Sequence, residues 1–117
     1  ADQGVGHLFR TLLDRKENPV AGSYTNKLLN KDDMLNAKML EEATEIIEAK
    51  DKNHVAAEAA DVLYFASVIC TRAGVSWKDV ENHLNRRSRR VRRRKGAAKP
   101  YALQMLREAK AKSENVK

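Results

Sequence analysis

Apolar residues recur at helical spacing along most of the chain. Val5, Leu8, Phe9, Leu12 and Leu13 follow the 3.6-residue period and predict a first helix over about 5–16. Pro19 and Gly22 mark a loop, and Ser23 can cap a short helix through Leu29. Asp32 or Asp33 is placed to cap a long second helix ending near Lys50, and Asp51-Lys52-Asn53 forms a polar break. A third long helix is expected from about His54 to Ala73, with Gly74 as its stop. Ser76-Trp77-Lys78-Asp79 reads as a capping box with Asp in place of Glu, opening a helix that carries Val80, Leu84 and Val91. Pro100 interrupts the pattern, and Tyr101 to about Ser113 can form a last helix with Ala102, Leu103 and Leu106 on one side.

This order predicts an all-α fold. The break at 51–53 is too short for anything but a tight turn, so the two long helices form an antiparallel hairpin core with flanking helices. A hairpin of this size exposes faces that one chain cannot cover, so a homodimer resembling a four-helix bundle is expected. Residues 1–99 are assigned to the folded domain and 100–117 to a C-terminal extension, linker or extra helix.

The hairpin carries the candidate chemistry. Glu42 and Glu45 stand three residues apart on its first arm, and Glu58 and Asp61 three apart on its second, so each pair shares a helical face. In a hairpin centred near residue 52, Glu45 comes level with Glu58 and Glu42 with Asp61, which gathers four carboxylates between two helices. Their setting is apolar. Between Val55 and Cys70 the charged residues are Glu58 and Asp61, so this helix is expected to be mostly buried, and Glu42 falls among Leu35, Met39 and Ile46. Burying bare carboxylates costs several kcal/mol each, so something must compensate them. Lys38, one turn before Glu42, can pair with one acid; protonation can neutralise another; a divalent cation can serve several together. Oxygen-only ligands point to Mg²⁺, with Mn²⁺ as the alternative, because His7, His54 and His83 lack ligand spacing.

Composition sets the remaining limits. Hydrophobic residues make up 42% and charged ones 33% of the 117, which describes one globular domain. The formal net charge of +7 hides a split between the acidic stretch 32–61 and the basic run RRSRRVRRRK at 86–95. That asymmetry suits a polyanionic ligand bridged to carboxylates by metal. With Cys70 as the single cysteine, no internal disulfide forms, which suits a reducing, cytoplasmic setting. No apolar run is read as membrane-spanning and no secretory signal opens the chain. The chain starts at Ala1 rather than Met, so a processed protein or an excised piece of a longer polypeptide is expected.

Lys38-Met-Leu-Glu-Glu-Ala-Thr-Glu45 and Glu58-Ala-Ala-Asp-Val-Leu-Tyr64 resemble the paired ExxE and ExxD motifs of the all-α nucleotide pyrophosphohydrolases, the superfamily of the MazG-like enzymes. Gly22-Ser-Tyr-Thr25 with Lys27-Leu28-Leu29, the preceding Arg15-Lys16, and Gly74-Val-Ser-Trp-Lys-Asp-Val-Glu81 resemble segments of the phosphoribosyl-ATP pyrophosphohydrolases within it. Arg93-Arg-Lys-Gly-Ala-Ala-Lys99 is similar to the tail of versions fused into fungal multifunctional histidine enzymes. The resemblance implies hydrolysis of the α–β phosphoanhydride of phosphoribosyl-ATP to phosphoribosyl-AMP and pyrophosphate, the second step of histidine biosynthesis. It also implies action alongside, or fusion to, other histidine-pathway enzymes.

The metal ligands carried over are Glu42, Glu45, Glu58 and Asp61, with Glu45 or Glu41 to activate the attacking water. Ser23, Tyr24 and Thr25 offer hydroxyls and backbone N–H groups near a helix start, suited to phosphate oxygens. Arg15, Lys16, Lys27 and Lys38 are further candidate substrate contacts, and Arg93, Arg94 and Lys95 can hold the second phosphate end. Trp77 and Tyr64 read as core residues rather than base-stacking platforms. Three rival readings stand beside this one. The basic run can be a nucleic-acid patch, although it lacks interleaved aromatics. The same fold can serve a house-cleaning nucleotide pyrophosphatase. A purely structural helical dimer is the third.

Overall fold

A computed structural model describes residues 3–90 and 98–116, and side chains within 3–87 and 98–112. Among the described residues six α-helices follow one another: α1 Val5–Glu17, α2 Tyr24–Asn30, α3 Asp32–Glu48, α4 Lys52–Arg72, α5 Trp77–Arg90 and α6 Pro100–Val116. No strand occurs among the described residues.

The caps explain most helix boundaries. Ser23 opens α2 by accepting from the Asn26 backbone N–H at 3.1 Å, and Asp51 opens α4 by accepting from the His54 N–H at 2.8 Å. Ser76 and Asp79 close the expected capping box in both directions: the Asp79 N–H donates to Ser76 Oγ at 3.1 Å, and the Ser76 N–H to Asp79 Oδ2 at 3.0 Å. Gly74 ends α4 at φ +77°, a left-handed conformation that a Cβ would strain. Three expectations shift. The N-cap of α3 is Lys31, which makes no side-chain cap bond, while Asp32 and Asp33 fall in the first turn, where they still oppose the helix dipole. The polar break moves two residues back, from 51–53 to 49–51, because α3 ends at Glu48 and Asp51 caps a helix that starts at Lys52. Pro100 is the first residue of α6 rather than a break, a position where its missing N–H costs nothing.

The chain divides into two compact units, Ala1–Leu84 and Asn85–Lys117, with the division falling inside α5. In the first, α3 and α4 pair as an antiparallel hairpin, and α1 and α2 also pack on α4. Leu12, Leu28, Leu35, Phe65 and Val68 form the buried cluster, backed by Leu8, Leu29, Met34, Met39, Tyr64 and Ile69. Trp77 packs against Phe9 at 5.5 Å between ring centroids, and Tyr64 meets Phe65 edge-on at 5.0 Å. In the second unit, α6 leaves Tyr101, Leu103 and Met105 exposed.

One chain does not bury α4 to the expected extent. Phe65, Ser67, Val68 and Thr71 are buried, but Val55 and Leu63 are exposed, as are Leu40 and Ile47 on α3. Among the described residues of the first unit, α1 and α2 pack on the hairpin and leave these positions exposed. Helix α4 is also long and apolar enough, by length and composition, to cross a membrane, contrary to the reading that no such segment exists. It packs against α1, α2 and α3, with 22% of the apolar span buried.

A carboxylate cluster as candidate metal site

The α3–α4 hairpin brings its acids together around Glu42. Glu42, Glu58 and Asp61 each present an oxygen within 4.8 Å of the others, and Glu41, Glu42 and Glu45 form a second such trio along α3. The expected level pairing of Glu45 with Glu58 and Glu42 with Asp61 thus becomes two overlapping trios that share Glu42. Burial is graded across them. Glu42 is only 5% exposed and Glu58 is half-buried, whereas Asp61 and Glu41 are exposed.

The electrostatics are unbalanced. Glu42 Oε2 and Glu58 Oε2 are buried without a hydrogen-bond partner among the described residues. Burial, followed by hydrogen bonding of its protonated form to Glu58 and Glu45 and the charges of Glu45 and Asp61, pushes the Glu42 carboxyl from 4.5 up to about 7. Lys38 offsets this incompletely. Its Nζ lies 3.1 Å from Glu41 Oε2 but 3.8 Å from Glu42 Oε1, so its shorter contact is spent on the exposed acid. The hydrogen bond that Lys38 donates to Glu41 raises the Lys38 pKa, and the Nζ stands 5.6 Å above the Phe65 ring. Two orphaned buried oxygens, an all-oxygen donor set and a surplus of negative charge fit a divalent cation, and these clusters can chelate one.

Other predicted residues lie at varied distances from this centre. Thr25 Oγ1 meets Tyr64 Oη at 3.3 Å, which fastens α2 to α4 one turn beyond Asp61. Ser23 serves as a cap, and Tyr24 is exposed near Lys38. Lys16 Nζ donates to the Thr71 carbonyl at 2.9 Å, so it ties α1 to the end of α4. Arg15 and Lys27 are exposed on α1 and α2. Arg93, Arg94 and Lys95 lie outside the described residues. Two residues escaped sequence reasoning. His54 Nε2 lies 3.4 Å from Glu58 Oε1, a proximity that the i, i+4 spacing alone signals. Phe65 lies beneath Lys38, and nothing short of the folded hairpin predicts that contact.

Sequence comparison places this cluster in a known setting. The model of the phosphoribosyl-ATP pyrophosphohydrolase family matches residues 5–88, a span that includes all five acids. The chain belongs to the phosphoribosyl-ATP pyrophosphohydrolase family. It is 48% identical over 98 residues to the histidine biosynthesis trifunctional protein of Komagataella pastoris, covering 84% of this chain and 12% of that protein. It is 46% identical over 96 residues to the histidine biosynthesis bifunctional protein of Schizosaccharomyces pombe, covering 82% of this chain and 23% of that one. It is also 46% identical over 84 residues to the phosphoribosyl-ATP pyrophosphatase of Streptococcus thermophilus, covering 68% of this chain and 81% of that enzyme. The chain therefore spans a small part of the multifunctional relatives and most of the short one.

Proposed function

We propose that this chain hydrolyses the α–β phosphoanhydride of phosphoribosyl-ATP, releasing phosphoribosyl-AMP and pyrophosphate, with Mg²⁺ held by Glu42, Glu45, Glu58 and Asp61. The observation that carries the reading is the pair of buried, unpartnered oxygens on Glu42 and Glu58 within a family defined by this reaction. Bound Mg²⁺ supplies charge neutralisation at the phosphate oxygens and at the departing pyrophosphate.

The side chains divide the remaining work. Water forms a bond to the α-phosphorus and the bridging α–β bond breaks, with the electron pair leaving on pyrophosphate. The water's proton passes to a carboxylate. Glu45 suits this role better than Glu41, because Glu41 is held by Lys38 at 3.1 Å while Glu45 makes no comparable ion pair among the described residues. Lys38, at the edge of the cluster, faces incoming phosphate and can exchange Glu41 for a phosphate oxygen. Positioning and charge neutralisation are sufficient for phosphoryl transfer, so no covalent nucleophile is required. Ser23, Tyr24 and Thr25, with Arg15, Lys16 and Lys27, are proposed to line the approach of the substrate.

The working unit is a homodimer. Leu40 and Ile47 on α3 and Val55 and Leu63 on α4 form an exposed apolar face that a second hairpin would cover. Residues 1–99 form the catalytic domain in this reading, and 100–117 an appended segment. Pyrophosphate release from phosphoribosyl-ATP, measured with Mg²⁺ and again with EDTA, tests the function. Release that requires the metal supports it. Equal turnover of ordinary triphosphates would favour a house-cleaning pyrophosphatase. Tight, salt-sensitive nucleic-acid binding with no hydrolysis would favour the basic run as the functional element.

A further inference from the structure

A second polar recess lies at the far end of α4. It measures about 140 Å³ and is walled by Lys16, Pro19, Asn26, Leu29, Asn30 and Arg72. Two of these residues are cations and none is an acid. Lys16 is anchored by its 2.9 Å bond to the Thr71 carbonyl, which leaves two of its three donors for a ligand. Asn30 Nδ2 donates to the Asn26 carbonyl at 2.7 Å and to Asn26 Oδ1 at 3.0 Å. Those bonds orient the Asn26 carboxamide with its own Nδ2 donors unspent among the described residues. Among the described residues Arg72 makes long contacts, at 3.3 Å to Asp32 Oδ1 and 3.4 Å to Asn36 Oδ1. Asp32 is 73% exposed, so water screens that pair and an incoming anion can compete for the guanidinium.

We propose that this recess binds a phosphomonoester. On the reaction proposed above, on which this part rests, it holds the phosphate at the phosphoribosyl end of the substrate. Arginine presents a fork of donors that matches two phosphate oxygens, while Lys16 adds a point charge and Asn26 a neutral donor. The placement suits such a ligand. Arg72 follows Asp61 by eleven residues on the same helix, about 16 Å along the axis and close to three full turns, so both lie on nearly the same face of α4. Phosphoribosyl-ATP carries a triphosphate on one ribose and a single phosphate on another, with the purine between them. A substrate with anions at both ends needs one subsite for each. The carboxylate cluster suits the metal-loaded triphosphate, and a metal-free cationic recess suits the lone phosphate.

Ribose 5-phosphate is the probe for direct binding. Titrated into ¹⁵N-labelled protein in EDTA, it should produce saturable shifts in the Asn26 and Asn30 side-chain amides, and Arg72→Gln should abolish them. With phosphoribosyl-ATP, Arg72→Gln should raise KM about tenfold with a much smaller change in kcat, and should leave the Mg²⁺-induced thermal shift in place. With an analogue lacking the phosphoribosyl phosphate, the variant and the parent should agree within twofold. Asn26→Ala, a milder change at the same recess, should move KM in the same direction and guards against a folding defect in the arginine variant. Absence of ribose 5-phosphate shifts at Asn26 and Asn30 overturns the site, as does an equal loss with both substrates. Ribose 5-phosphate binding without hydrolysis of phosphoribosyl-ATP leaves the phosphomonoester site standing and overturns the proposed function instead.

Discussion

Replacing Glu42 by glutamine should make the metal-free protein more stable, although it removes a ligand of the proposed site. Glu42 sits 5% exposed among Glu45, Glu58 and Asp61, and its carboxyl is pushed from 4.5 up to about 7. Each pKa unit is worth about 1.4 kcal/mol between the two protonation states, so keeping Glu42 ionised at pH 8 costs on the order of 3 kcal/mol. That is a large share of the 5–15 kcal/mol typical of a whole domain. Glutamine keeps the shape, carries no charge, and can donate its amide hydrogens to the orphaned Glu58 oxygen. Urea unfolding in EDTA at pH 8, at matched protein concentration, should show Glu42→Gln more stable by up to about 3 kcal/mol. The gain should vanish near pH 4, where Glu42 is already protonated in both folded and unfolded chains. A variant no more stable than the parent at pH 8, or a gain unchanged at pH 4, would refute the claim that this carboxylate carries uncompensated charge.

The same linkage fixes a pH dependence. Because the folded-state pKa of Glu42 is raised, its contribution favours folding below about 4.5 and is lost as pH rises through about 7, so EDTA-treated protein should lose urea resistance across that window. Glu58→Ala should abolish pyrophosphate release from phosphoribosyl-ATP while helical circular dichroism is retained, because Glu58 is half-buried and serves the site more than the core. Leu35→Ala should cost about 2–5 kcal/mol in urea unfolding, since Leu35 is wholly buried where α3 meets the core cluster. Leu63→Asp should yield a sedimentation mass of one chain, because it puts a charge on the exposed apolar face of the hairpin.

Local chemistry was the legible part of this fold. The Ser76–Asp79 box, the Ser23 cap and the Gly74 stop each depend on residues within a few positions, and the structure shows all three. The ExxE and ExxD spacing, with a three-residue break between the long helices, was enough to bring Glu42 to Glu58 and Asp61. Burial was less legible because it depends on which distant elements arrive. Glu42 is buried with Lys38 Nζ 3.8 Å from its Oε1, while Asp61, in an equally apolar stretch of sequence, is exposed. The bond from Lys16 to the Thr71 carbonyl spans 55 residues, and no periodicity predicts it. Likewise, His54 looked remote from any ligand set because the sequence test sought histidine spacing, whereas its neighbour in the fold is the carboxylate of Glu58.

The central claim is that these carboxylates gather to hold a divalent cation. Calorimetric titration of Mn²⁺ into EDTA-stripped, dialysed protein tests it without reference to turnover. Saturable binding to the parent, weakened at least tenfold in Glu42→Gln and in Glu58→Gln, is the predicted result. Heats indistinguishable from dilution, or binding that both variants retain in full, would contradict it.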